Sequence, residues 1–257
     1  MNSLFDEARR LGKPFRKHKR FPALMLVVWL ALATQMAHGA SLVLNGGFET
    51  GDFSSWTTSG NFSQCIANTG PNYAHSGTWG AKMGPGGTLG YLSQTLTTTP
   101  GQLYVLSFWL NCSDDPEGIT PNEFTAAWNG TNLVDLVDFG PFGWTNCQYV
   151  VTATSNSTVL AFGFRDDPSF LGFDDVTVST PPPPSFLSLT RTGTNITFTW
   201  SCVPTLVYQV QSSTNLATTN WSNLGGTITA TSFVMTTTDT NAAIASPRRF
   251  YRLRQLP

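Results

Sequence analysis

The side chains able to do chemistry in this sequence are few, and their types suit recognition better than bond breaking. Trp109 and Arg165 each fall on the less apolar parity of a strongly alternating segment. Along Tyr104–Cys112, Tyr104, Leu106, Phe108, Leu110 and Cys112 share one face, and Val105, Ser107, Trp109 and Asn111 share the other. Along Val159–Arg165, Leu160, Phe162 and Phe164 lie opposite Ala161, Gly163 and Arg165. If the two strands are neighbours, Ala161 and Gly163 leave room beside the indole. Asn122, Glu123 and Asp167, on adjoining loops, then add hydrogen-bonding groups. An aromatic face with a few polar partners is an arrangement that holds a ring of hydroxyls. The plainer reading packs Trp109 under a loop or against a second sheet layer, because Trp is highly buried on average.

Catalysis finds less support. His75 is the only histidine after residue 40, so a Ser-His-Asp arrangement would have to use it. No Gly-x-Ser-x-Gly elbow is present. Gly84-Pro85-Gly86-Gly87 lacks the Lys-Ser/Thr of a phosphate loop and reads as a turn. The acid pairs Asp114-Asp115 and Asp166-Asp167 have the residue types of a glycoside hydrolase, but that reaction needs an acid and a base at a fixed separation. Nothing in the sequence sets such a distance. The expectation is a non-catalytic protein, with a small glycoside hydrolase as the weakest alternative.

These groups must be positioned by strands. Charged residues make up 11% of the chain, against about 25% in ordinary soluble proteins. Thr, Val and aromatics are interrupted by Gly and Pro, and no segment sustains a helical period. Beyond the two segments above, strands are expected at Ser41–Leu44, Tyr91–Leu96, Phe124–Trp128, Cys147–Ala153 and Phe173–Val178. Turn residues separate them at Asn45-Gly-Gly, Pro100-Gly and Asn129-Gly. Trp56, Trp128 and Trp200 read as core, while Trp79 and Trp144 are undecided.

The run Pro181 to Pro184 is an extended, semi-rigid spacer. It divides a first domain, 41–180, from a second, 185–257. In the second, strands are expected at Phe186–Thr190, Ile196–Trp200, Leu206–Ser212, around Trp221 and Leu224, at Ser232–Thr236 and at Phe250–Leu253. The fold class expected is all-β: an antiparallel jelly-roll β-sandwich followed by a smaller immunoglobulin- or fibronectin-like sandwich.

Seven of the fourteen basic residues lie before position 21, ahead of the apolar run Ala23–Ala33 and the small residues Ala37-His38-Gly39-Ala40. That is the pattern of a secretory signal over residues 1–40. The alternative is an uncleaved anchor, because Phe21–Ala37 approaches the lower length limit for a membrane span. Thr34, Gln35 and the small-residue exit favour cleavage, hence export and no stable membrane insertion. The remaining chain holds seven basic residues against thirteen carboxylates, a net of −6, which argues against nucleic acid as a partner. Arg248, Arg249, Arg252 and Arg254 form its only basic cluster, within an apolar pattern that favours a structural role. Cys65, Cys112, Cys147 and Cys202 allow three pairings. Cys112 and Cys147 each continue an apolar strand face and are the favoured disulfide. No CxxC spacing suggests structural zinc.

Several motifs in order resemble bacterial galactose-binding-like jelly rolls, the broad group containing the family-4/9-type carbohydrate-binding modules. They are Leu42-Val-Leu-Asn-Gly-Gly-Phe-Glu49 with Trp56, His75-Ser-Gly-Thr-Trp-Gly-Ala-Lys-Met83, Leu92-Ser-Gln-Thr-Leu96, Pro100-Gly-Gln-Leu-Tyr-Val-Leu-Ser-Phe-Trp109 and Phe173-Asp-Asp-Val-Thr-Val178. The resemblance implies a carbohydrate or cell-surface polymer as partner. It also implies a structural calcium ion held by Glu49, Asp174 and Asp175, joining the first strand to the last. Calcium takes six to eight oxygens, of which two sequence-distant acid groups would supply part. Tyr208-Gln-Val-Gln-Ser-Ser-Thr-Asn-Leu216, Trp221-Ser-Asn-Leu-Gly225 and Arg249-Phe-Tyr-Arg-Leu253 resemble a fibronectin-like C-terminal module of large secreted bacterial proteins. Related chains often end in a membrane-sorting tag, and Arg254-Gln-Leu-Pro257 carries none, so the resemblance implies release. A structural or adhesive matrix protein acting through protein contacts is the alternative function.

Overall fold

The computed structural model describes residues 40–113, 121–217, 220–240, 242 and 248–256. The leader expected over 1–40 lies outside them except for its last residue, as does the acid pair Asp114-Asp115. Among the described residues no helix is long and apolar enough to cross a membrane.

Among the described residues ten strands precede the proline run: β1 (Thr57–Gly60), β2 (Cys65–Asn68), β3 (Gly80–Met83), β4 (Gly90–Thr97), β5 (Leu103–Asn111), β6 (Asn122–Trp128), β7 (Thr131–Val137), β8 (Thr145–Thr152), β9 (Ser157–Asp166) and β10 (Leu171–Ser179). They make two five-stranded antiparallel sheets, ordered β1-β4-β9-β6-β7 and β2-β3-β10-β5-β8. This is the expected all-β jelly-roll sandwich. Alternation sets which way each side chain faces. On β5, Tyr104, Leu106, Phe108 and Leu110 are buried, and on β9 Leu160, Phe162 and Phe164 are wholly inaccessible. Phe173 of β10 sits at the centre of this core. Its ring centroid lies 4.7 Å from that of Phe162, 5.1 Å from Phe164 and 5.6 Å from Phe108. Aromatic pairs at 4.5–7 Å add about 0.5–1.5 kcal/mol each beyond area burial, so this ring ties both sheets together. Trp56 and Trp128 are buried in the same core.

The opening segment departs from expectation. Ser41–Leu44 is not a strand, because the chain turns left-handed soon after it, at Asn45 (φ 50°) and Phe48 (φ 54°). It is nevertheless bound to the last strand of the sandwich. The Leu42 N–H donates to Val178 O at 2.8 Å, and Val176 N–H donates to Gly46 O at 2.9 Å. Buried Gln94 of β4 holds the segment from the other side, accepting from Leu44 N–H at 2.8 Å and donating to Leu44 O at 3.0 Å.

After the prolines come β11 (Phe186–Thr192), β12 (Asn195–Ser201), β13 (Val207–Ser213), β14 (Ser222–Asn223), β15 (Ile228–Thr229), β16 (Val234–Asp239) and β17 (Phe250–Gln255). One sheet runs β11-β12-β16. In the other, β13 pairs with β17 along one edge and with β14 and β15 along the other. Both sheets contribute to a second core containing Phe198, Trp200, Tyr208, Tyr251 and Leu253, which shares no residue with the first.

Candidate functional site

The outer face of the β1-β4-β9-β6-β7 sheet carries a trough in side-chain size, a strip of small residues between larger ones. Antiparallel register places Tyr91 of β4 beside Gly163 of β9, Gly163 beside Thr125 of β6, and Thr125 beside Asp135 of β7. In the next row Ser93, Ala161 and Ala127 follow one another. Small residues thus floor the middle of the sheet. Gly163 is required there: a Cβ would come within 2.5 Å of Thr125 Oγ1 and 2.9 Å of Tyr91 Cε1. The Tyr91 ring therefore lies against bare backbone, and the residue is 36% exposed.

Charged and polar groups close one end of the trough. Arg165 pairs in register with Glu123. Its Nε and Nη2 donate to Asp167 Oδ2 at 3.0 and 2.8 Å. Asp167 also accepts the Gly87 N–H at 2.9 Å. That N–H, and then the guanidinium, hold the carboxyl below the usual carboxylate range. An aromatic face, a fixed guanidinium and two carboxylates thus border a floor without bulky side chains. Such a surface can stack on a sugar ring and exchange hydrogen bonds with its hydroxyls.

Of the five residues expected to contact a ligand, the structure brings together Arg165, Glu123 and Asp167. Asn122 does not join them. It is wholly buried, donating through Nδ2 to Phe139 O and accepting from Phe139 N–H through Oδ1. Its parity on β6 turns it inward, so it fixes a loop rather than meeting a ligand. Trp109 is also elsewhere, because β5 and β9 belong to different sheets. Ala161 and Gly163 therefore leave room beside Tyr91, not beside this indole. One face of Trp109 is covered by the His75 ring, with centroids 3.7 Å apart and planes at 15°. Trp144 meets the same imidazole edge-on at 5.3 Å. Tyr91 is not among the expected ligand contacts, although strict parity from Leu92 and Leu96 turns it outward.

The acids of the opening and closing motifs meet on a single loop. Glu49 accepts the N–H groups of Thr78 and Trp79, and Asp174 accepts those of His75 and Ser76. Asp175 accepts from Ser76 Oγ at 2.8 Å and lies 2.7 Å from His75 Nδ1. Gly77, at φ +63°, lets the loop turn beneath the Glu49 carboxylate, where any Cβ would collide with it. Asp174 is fully buried, and burial, then the neighbouring Asp175 charge, pushes its pKa up to about 7. Hard carboxylate oxygens and a buried acid that a cation would relieve fit calcium in chemistry. In the present arrangement, however, all six oxygens face N–H or O–H donors. Among the described residues no group of three or more His, Cys, Asp or Glu side chains is gathered into a metal cluster.

Two other expectations are corrected. Cys112 and Cys147 are not joined. Cys147 stands opposite Phe108, four residues and about 13 Å along the strand from Cys112 at the usual rise. That exceeds the roughly 7 Å between Cα atoms that a disulfide tolerates. Asp166 and Asp167 do not form a facing acid pair either, because Asp166 turns into the sandwich, 1% exposed, while Asp167 turns out to Arg165.

No family model matches the chain, and no curated protein matches it. Among solved structures it is similar to TmCBM61 in complex with β-1,4-galactotriose, with 19% identity, 55% of this chain and 99% of that chain covered, and a TM-score of 0.45. It is similar to the CBM22-1 xylan-binding domain from Paenibacillus barcinonensis Xyn10C, at 16% identity over 56% and 96% of the chains and a TM-score of 0.39. It is also similar to the enzymatically active domain of bacteriophage CBA120 tailspike protein 4, at 13% identity over 55% and 21% and a TM-score of 0.41.

Proposed function

We propose that this is an exported, non-catalytic carbohydrate-binding protein that takes a glycan on the outer face of the β1-β4-β9-β6-β7 sheet. The observation that carries the reading is Tyr91, lying exposed over Gly163 in a trough bordered by Arg165, Glu123 and Asp167. Aromatic rings give a sugar an apolar surface, and the flanking charged groups set its orientation. The test is a glycan array followed by titration of the strongest neutral ligand. Tyr91→Ala is expected to weaken that ligand about tenfold, roughly 1.4 kcal/mol, with an unchanged melting temperature. An array without ligands, with a protein recovered in pull-downs instead, would favour an adhesive matrix role.

Export and division at the proline run belong to the same proposal. N-terminal sequencing of the secreted chain should begin near Ser41. A calcium ion is proposed where Glu49, Asp174 and Asp175 approach the loop 75–79, on the strength of the buried Asp174 carboxyl. Its role would be structural, so calcium should raise the unfolding temperature and a chelator should lower it. Coincident melting curves would remove the ion from the account.

A further inference from the structure

Charge is divided unevenly along the chain. Residues 41–180 carry Lys82 and Arg165 against twelve carboxylates, a net of −10, whereas residues 185–257 carry five arginines against Asp239 alone, a net of +4. Asp239 is buried and already engaged, in an ion pair with Arg249 Nε at 2.7 Å and accepting a hydrogen bond from the Tyr251 hydroxyl at 2.8 Å. It neutralises nothing at the surface.

Alternation along β17 sends Tyr251 and Leu253 toward the second core and leaves Arg252 and Arg254 exposed. This differs from the structural role expected for the whole arginine cluster. Arg252 is held in place. Its Nε donates to Gln211 Oε1 at 2.8 Å, and Gln211 Nε2 in turn donates to Asn223 Oδ1 at 2.8 Å. The guanidinium carbon sits 4.5 Å from the centroid of the Trp221 ring, a supported geometry that leaves four of its five N–H donors for other partners. Arg254 follows two residues along the same strand, about 7 Å away at the usual rise. Neither is in an ion pair among the described residues.

We infer that this face, built from Arg252, Arg254, Trp221, Gln211 and Asn223, is a second binding site that takes the carboxylates of an acidic, uronate-containing polysaccharide. A guanidinium fork fixed at Nε matches a planar carboxylate by paired N–H donors. The adjoining indole and the exposed Asn223 amide, which Gln211 holds from beneath, suit a ring and its hydroxyls, and the positive charge selects an anionic chain over a neutral one. This site is independent of the Tyr91 trough.

The test is affinity electrophoresis of the full chain through gels holding polygalacturonate, neutral galactan, dextran sulfate or single-stranded DNA. Polygalacturonate should retard the protein, less so as salt rises. R254Q changes an exposed side chain and should weaken retention about threefold, and R252Q/R254Q about tenfold or more. R254Q should keep the wild-type melting temperature, R252Q/R254Q should lose only about a few degrees with its bond to Gln211, and both should keep the wild-type mobility in galactan. R252K retains charge but not the fork and should bind nearly as poorly as R252Q. Equal retardation of wild type and R252Q/R254Q would overturn the inference. So would stronger retention by DNA or dextran sulfate than by polygalacturonate. Loss of polygalacturonate binding in Tyr91→Ala would move the acidic ligand to the trough. Concentration-dependent self-association that vanishes in R252Q/R254Q, without polygalacturonate binding, would make the occupant a second copy of the chain.

Discussion

The two outer faces of the first sandwich start from the same rule and end differently. On both, every second side chain points away from the shared core. On the β2-β3-β10-β5-β8 sheet the outward Trp109 is roofed by His75 and flanked by Trp144, while the loop carrying His75 is fastened by Asp174 and Asp175. On the opposite sheet Tyr91 faces outward over Gly163, with Ala161 and Ala127 in the next row, and it stays open. Parity alone therefore makes an aromatic available, and what a distant loop does next decides whether a ligand reaches it.

That contrast breaks down most completely if the core beneath both faces is removed. Phe173→Ala should cost about 3–5 kcal/mol, lowering the denaturant midpoint and the binding capacity of the sample together. Trp109→Ala sharpens the contrast. Losing the His75 stack should cost about 2 kcal/mol of stability yet leave glycan affinity as it was, the reverse of Tyr91→Ala. A Trp109→Ala protein that folds normally but loses its ligand would return the platform to the other sheet. The smallest effect belongs to Asp167→Asn. It weakens a partly exposed ion pair and the bond to Gly87 N–H, for a cost of under about 1 kcal/mol. Affinity should fall only a few-fold, through a less constrained Arg165.

Much of this was legible in the sequence, and the failures have physical causes. β4, β5, β6 and β9 lie close to their expected limits because a buried face repeats every second residue, and β10 does so despite the register shift between Asp174 and Thr177. The sequence pattern marks neither β1 to β3 nor β7, where a register shift opposite Ala126 and Ala127 leaves Leu133 and Val134 both half-buried and breaks the alternation. β1 is exposed throughout, and four residues give alternation too little length to register. Glu123, expected on a loop beside Trp109, lies instead within β6, where register sets it beside Arg165, while Asp167 does follow its strand. Trp109 was misplaced because sequence does not say which strand joins which sheet, and β5 and β9 join different ones. Asn122 failed for a local reason, as an amide at a strand end serves backbone groups of the next loop as readily as a ligand.

The opening segment carries a consequence for how the chain matures. Its hydrogen bonds run from Leu42 to Val178 and from Gly46 to Val176, contacts of the long sequence separation that slows folding. A ribosome still holding back residues near 176 keeps this seam from closing. The first sandwich thus stays unfinished through most of its synthesis and shuts only when its last strand emerges.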